Sequence, residues 1–407
     1  MSSSASSSSP RLVLAALWLM MFSASSQVII VSPILPNIAR ELSIPEAHLG
    51  WLVTIYAAML GVFALIVGPI SDKIGRRRII LFGCSAMSIT LMLHAAATSF
   101  GSLLIVRGLS GVAGGMLSGS AVSYVGDYFP YEKRGWANGW VMSAAAVGQI
   151  AGIPLGKFLA GLYSFKWPFV LFGITMIFAV FLVWRYVPQP DVVRNTDRLT
   201  IGRALSNYAT LLRDRKISAA TLAYVLMFAS MGIYLVYLPT WLEHEIGLAN
   251  NDIVLLFLFG GLMNVMTGPM AGQLSDRIGR KPLIVSSCLG LSLIMILTTF
   301  VVTGRAVAFG VFALAMIMIA MRMSPFQSLI TSLVPAERRG SLMSLSIAIG
   351  QIGMGLASGL AGTAYTQYGY LSNTVMGALS MLMMAGIVHY FLPEPTAGTA
   401  AAPAASA

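Results

Sequence analysis

Gly68-Pro69-Ile70-Ser71-Asp72-Lys73-Ile74-Gly75-Arg76-Arg77 returns 204 residues later as Gly272-Gln273-Leu274-Ser275-Asp276-Arg277-Ile278-Gly279-Arg280-Lys281. Two other patterns recur at nearly the same offset. Pro130-Tyr131-Glu132-Lys133-Arg134-Gly135 comes back as Pro335-Ala336-Glu337-Arg338-Arg339-Gly340, and Gly148-Gln149-Ile150 as Gly350-Gln351-Ile352. The 407-residue chain therefore reads as one unit used twice.

Composition sets the medium in which that unit folds. The chain is 57% hydrophobic and 10% charged, against about 25% charged in soluble domains. A water-facing surface cannot be made from it, and disorder, which needs low hydrophobicity and high charge, is excluded too. A membrane-crossing helix takes roughly 20 apolar residues. The charge-free stretches Leu12–Ala39, Ala47–Ser71, Gly135–Gly156, Trp167–Trp184, Ile217–Leu242, Ile253–Ser275, Pro282–Gly304 and Ala306–Met321 each suit one span. Ile79–Gly126, broken only by Arg107 and by turn residues near Ser99 to Ser102, suits two. Gly340–Pro393, which breaks near Gln367 to Tyr370, suits two more. Lys157 and Arg322 interrupt a span without ending it. The sum is twelve spans, six per copy, so both copies run in the same direction about an axis along the membrane normal. Arg11, the apolar run after it and Ser23-Ala24-Ser25 have the outline of a secretory signal. The run continues to Ile38, however, which makes it a first span.

Lys and Arg give the orientation. One set of connections holds 19 of the 25, and the other holds only Arg40, Lys166 and Arg305. The richer side is assigned to the cytoplasm of a cell inner (plasma) membrane, with both termini on it. The net charge of +11 is thereby a topology signal and gives no support to a nucleic-acid partner. The expected organisation is a cytoplasmic tail over 1–11, six-helix bundles over 12–188 and 217–393, a polar linker over 189–216, and a disordered tail over 394–407. Cys84 and Cys288 lie in apolar runs, which offers no disulfide framework.

The doubled G-x-x-x-D-[KR]-x-G-R-[RK] element resembles that of the major facilitator superfamily over nearly the whole chain. Pro33-Ile34-Leu35-Pro36 and Gly152-Ile153-Pro154-Leu155-Gly156 are similar to patterns of its twelve-span drug and metabolite efflux group. The resemblance implies an all-α membrane fold of two pseudo-symmetric six-helix bundles, alternating access, and a cavity lined mainly by spans 1, 4, 7 and 10. It also associates a span-4 arginine, here Arg107, with proton or substrate coupling.

Candidate residues follow from charge and spacing. Gly68, Asp72, Gly75, Arg76 and Arg77, with Gly272, Asp276, Gly279, Arg280 and Lys281, form the candidate gate. The glycines allow close approach and a tight turn, while the Asp can pair with arginines or cap a helix. Arg107 in span 4 and Arg322 in span 10 are costly inside a membrane and so are functional candidates. With them go Gln27 in span 1, Tyr234 and Tyr237 in span 7, and Gln327 in span 10, as groups able to hydrogen-bond a solute. None of the 14 acids falls near the middle of a span, and Gln27 stands where many proton-coupled relatives carry an acid. Protons remain an open partner. His94 is a residue type able to titrate near neutrality, but the family fold puts span 3 outside the cavity. Gly148, Gly152 and Gly156 read as a packing stripe. Met316, Met318, Met321 and Met323 read either as an adaptable cavity wall or as lipid-facing residues.

The leading function is a secondary transporter, acting as a monomer, that exports small amphipathic organic compounds. The alternative is an organic-anion uptake carrier or exchanger, and a different class is a membrane sensor without transport. No cofactor or metal is expected. No G-x-x-x-x-G-K-[ST] motor element occurs, and no nucleophile or metal cluster supports an enzyme.

Overall fold

The computed structural model describes residues 9–129, 147–190, 208–334 and 336–394, together with residues 137, 140, 141 and 143–145. Among the described residues the chain is helical throughout, and eleven helices are long and apolar enough to cross a membrane. The N-terminal half contains α1 (Pro10–Ile29), α2 (Val31–Leu42), α3 (Glu46–Ile74), α4 (Arg76–Leu93), α5 (Phe100–Leu117), α6 (Ser120–Tyr128), α7 (Ile153–Leu162) and α8 (Lys166–Tyr186). The C-terminal half contains α9 (Arg215–His244), α10 (Asn250–Ile278), α11 (Arg280–Val301), α12 (Arg305–Ser332), α13 (Ala336–Tyr368) and α14 (Tyr370–Phe391). The span expected over Gly135–Gly156 lies largely outside the described residues; its described part is a widened turn at Gly148–Gly152 running into α7.

Prolines account for the breaks that charge spacing does not reveal. A helical proline lacks an N–H and its ring crowds the carbonyl four residues back. Pro33 acts on Ile29, where the expected first span divides into α1 and α2. Pro154 acts on Ile150, inside the widened turn. Pro239 frees the Leu235 carbonyl in α9, and Ser32 Oγ donates to it across the bundle interface at 2.6 Å. Span 4 divides without proline, at Gly119, whose φ of 71° is left-handed.

Helix α1 begins at Pro10, inside the expected N-terminal tail, and Glu394, expected in a free tail, is held by hydrogen bonds. The remaining tail positions 1–8 and 395–407, and linker positions 191–207, lie outside the described residues.

Within the first half α1 packs on α8, α3 on α5, and α4 on both α5 and α8; within the second, α9 and α11 pack on α14 and α10 on α12. Across the halves α3 lies along α13, α2 meets α9, and α7 meets α10. The expected glycine stripe serves packing: Cβ atoms at Gly148 and Gly152 would each come within 2.8 Å of Ser26 Oγ. Hydrogen bonds and ion pairs between the halves gather at the end away from the termini. Thr54 Oγ1 donates to the Gly355 carbonyl. Tyr237 Oη accepts from Gly50 N–H at 2.6 Å and donates to the Glu46 carbonyl at 3.0 Å. The bundles are clasped at that end.

Candidate functional site

A cavity of 180 Å³ lies between the halves. Ser32, Val53, Tyr56, Arg107 and Ile153 line it from one side, and Leu235, Phe257, Asn264, Phe312, Met316 and Gln351 from the other. Its wall is mostly apolar. Among the described residues Arg107 is the one charged residue on it, and none of the described acids lines it.

Arg107 is brought there by local sequence. Ser99 and Ser102 form a reciprocal capping box that starts α5, and Arg107 follows about two turns in. Gly111 lets α5 close on α3, because a Cβ at that position would run into the Tyr56 carbonyl. Arg107 is 2% exposed. Nη1 donates to Gln27 Oε1 at 3.1 Å and Nε to the Leu52 carbonyl at 3.3 Å. The group also sits over the Tyr56 ring, 4.4 Å from its centroid. Gln27 Nε2 donates to Tyr56 Oη at 2.9 Å and to the Ala24 carbonyl at 3.3 Å, which fixes the amide with its oxygen toward Arg107. All these partners are neutral. Dipoles and a π face relieve part of the desolvation cost, and the positive charge stays available to whatever fills the cavity.

The other expected solute ligands are placed elsewhere. Arg322 is fully enclosed, lies against Cys288 of α11, and is off the cavity wall. Among the described residues its Nε, Nη1 and Nη2 have no hydrogen-bond partner. The repeat offset of 204 pairs Cys288 with Cys84 and Arg322 with Ser118, while the offset of 205 pairs Arg322 with Leu117, an aliphatic residue packed at Gly83. Tyr234 Oη is engaged with Thr298 Oγ1 at 3.0 Å, and Tyr237 belongs to the clasp. Gln327 is exposed and hydrogen-bonds Tyr224. Met316 alone of the methionine run lines the cavity. His94 is buried, with Nδ1 2.8 Å from the Thr90 carbonyl and its ring stacked 3.9 Å from Phe169. Gln27 and Arg107 are thus the pair that comes together.

The two gate elements turn on Gly75 and Gly279, with φ of 109° and 95°, where a side chain would be strained. Arg76 Nε pairs with Asp127 Oδ2 at 2.8 Å, and Arg77 Nη2 donates to the Trp184 carbonyl at 2.7 Å. In the second copy the carboxylate of Glu394 accepts from the Arg280 and Lys281 N–H groups at 2.7 and 2.8 Å, capping α11. Arg280 Nη1 also reaches the Ser328 carbonyl at 3.3 Å. Each of these ties stays within its own bundle. The helical turns carrying Gly68 and Gly272 are in place, while the side chains of Asp72 and Asp276 lie outside the described residues.

At the clasped end a charged cluster crosses the interface. Lys157, fully enclosed, donates to Asn37 Oδ1 at 3.2 Å, and its Nζ is 3.8 Å from Glu243 Oε2. Arg40 reaches Glu243 Oε1 at 3.0 Å, and His244 Nδ1 lies 2.8 Å from Glu46 Oε1. Sequence reasoning did not single out Tyr56, Asn264 or Glu243. For Glu243 a signal existed: Lys157 sits in a span with no acid near it in sequence, so its partner had to come from another helix.

The description Major Facilitator Superfamily matches over residues 17–358 and 220–406. An uncharacterized MFS-type transporter, YwfA, of Bacillus subtilis (strain 168) is 27% identical over 380 residues, covering 92% of this chain and 90% of its own. Multidrug resistance protein MdtG of Proteus mirabilis (strain HI4320) is 26% identical over 69% of this chain and 71% of its own. The citrate-proton symporter of Salmonella typhi is 24% identical over 65% of this chain and 64% of its own.

Proposed function

The chain belongs to the Major Facilitator Superfamily, a membrane carrier rather than an enzyme, and on that premise we propose that it exports small amphipathic organic compounds by alternating access. One observation carries the reading: the described lining of the cavity between the halves is apolar except for Arg107 and a few neutral polar groups. An apolar solute body gains from leaving water for such a wall. A carboxylate or other anionic group on it answers the one guanidinium, so the favoured solute is an amphiphile bearing negative charge. Arg107 offers a fork suited to bidentate contact.

The Lys and Arg bias assigns the termini to the cytoplasm of the inner membrane. The clasped end then faces outward, and solute enters from the cytoplasmic side. Export needs Tyr237 to leave Gly50 and Glu46, and Glu243 to leave Arg40 and Lys157, while the halves rock about the cavity. The gate elements at the cytoplasmic end close in that step, with Asp72 and Asp276 as the proposed latching carboxylates.

A second reading, uptake or exchange of an organic anion, is favoured by the same guanidinium without an acid beside it. The relative named as a citrate-proton symporter handles such an anion. Flux in oriented vesicles separates the two. Export predicts protein-dependent accumulation of a labelled anionic amphiphile in inside-out vesicles. Accumulation of a small hydrophilic anion in right-side-out vesicles, with none of the amphiphile in inside-out ones, would replace the export reading.

A further inference from the structure

A second void, of 570 Å³, opens on the outer flank of the N-terminal half. Arg11, Leu14, Trp18 and Leu19 line it along α1, with Trp140 and Leu182 across from them. Residues 11, 14, 18 and 19 recur at helical spacing, so one stripe of α1 forms the groove floor. Trp18 is fixed, its Nε1 donating to Ser143 Oγ at 3.1 Å and its ring stacked 5.5 Å from Phe22. Trp140 is 54% exposed.

The groove is polarised along its length. Arg11 stands at its mouth, at the end carrying the termini, and supplies its only charge among the described residues. One turn beyond Leu182, Arg185 lies at the same end with its guanidinium 5.3 Å from the Tyr186 ring centroid. Trp18 is about 10 Å deeper than Arg11. Below the mouth the remaining described wall is aliphatic or indole. Tryptophan at this depth is at home between headgroups and acyl chains, and basic pockets between spans on the cytoplasmic side suit anionic headgroups. The groove faces the bilayer, so the molecules that meet it are lipids. We propose that it binds an anionic phospholipid of the adjacent leaflet, with its phosphate at Arg11 and an acyl chain along Leu14, Leu19 and Leu182. The inference rests on the membrane reading of the chain and not on which solute is moved.

The full chain, purified in a neutral detergent, is titrated with phosphatidylglycerol or phosphatidylcholine carrying brominated acyl chains, and tryptophan quenching is recorded. Phosphatidylglycerol is expected to quench at the lower mole fraction. Arg11→Gln should shrink that preference about fivefold. Leu182→Phe, which fills the groove without adding a tryptophan and leaves Arg11 in place, should also abolish the preference, with the thermal midpoint kept as the check on folding. Equal quenching by the two lipids in the natural protein, or a preference that survives both variants, overturns the site. Lipid preference without solute flux removes the transport reading and leaves this one; flux without lipid preference does the reverse.

Discussion

Glu243→Gln is expected to open the clasped end. In the closed arrangement Lys157 is fully enclosed, with Glu243 Oε2 at 3.8 Å and Asn37 Oδ1 at 3.2 Å. Removing the carboxylate strands the ammonium in a dry site. Breaking a fully buried pair costs about 3–5 kcal/mol. Glu243 retains 19% side-chain exposure and its other partner, Arg40, 62%, so about 2 kcal/mol is the working figure once solvent screening is allowed for. When the halves part, water reaches Lys157 and the penalty disappears, so it falls on the closed state alone. At 1.4 kcal/mol per tenfold, the ratio of open to closed molecules rises by roughly 30-fold. The assay uses Asn264→Cys on the cavity wall, since Cys84 and Cys288 are both buried, and an impermeant maleimide added to sealed vesicles from the clasped side. Glu243→Gln should speed labelling. Adding Lys157→Met should slow it again, because no charge is then stranded. Labelling that ignores the first change, or a double variant as fast as the single, would refute the latch.

Arg322→Leu places at that site the residue that the 205-residue repeat offset sets opposite it, Leu117. With three guanidinium nitrogens buried and unpartnered among the described residues, it should stabilise the protein, by about 1–3 kcal/mol, read as a higher thermal midpoint; a lower midpoint contradicts this. Arg107→Lys keeps the charge but loses the planar fork that reaches Gln27 and Leu52, so affinity for an anionic amphiphile should drop about tenfold while a neutral analogue changes little. Matched losses for both would assign Arg107 to packing. Asp72→Asn should lower turnover in proteoliposomes with solute binding retained, and unchanged turnover would remove Asp72 from the gate.

The duplication and the number of spans are legible because a charge in lipid is costly enough to mark where a span stops. Breaks inside spans are not. Pro33 and Pro154 act on carbonyls four residues earlier, and charge-to-charge distances carry no trace of that. Arg107 and Gln27 were readable, one by its cost and the other as the strongest polar group in its span. Tyr56 was not, since a tyrosine within an apolar run looks the same whether it faces lipid, core or cavity. Arg322 shows the same limit from the other side: its charge is evident, but only helix packing turns it into the C-terminal bundle and off the cavity wall. The gate arginines were evident by motif, and their partners were not. Asp127 lies 51 residues from Arg76, and Glu394 lies 114 from Arg280. Burial of Tyr237 Oη between Gly50 and Glu46 likewise depends on a contact across halves, 187 residues apart.

The most direct test is counterflow in proteoliposomes holding only the purified protein. Vesicles preloaded with an unlabelled anionic amphiphile are diluted into a trace of the same compound in labelled form, and internal label is followed over time. Alternating access at the Arg107 cavity predicts a transient internal label above the external concentration, absent from protein-free vesicles and strongly reduced by Arg107→Gln. A label that only equilibrates passively, or an overshoot that Arg107→Gln leaves untouched, would contradict transport through this cavity.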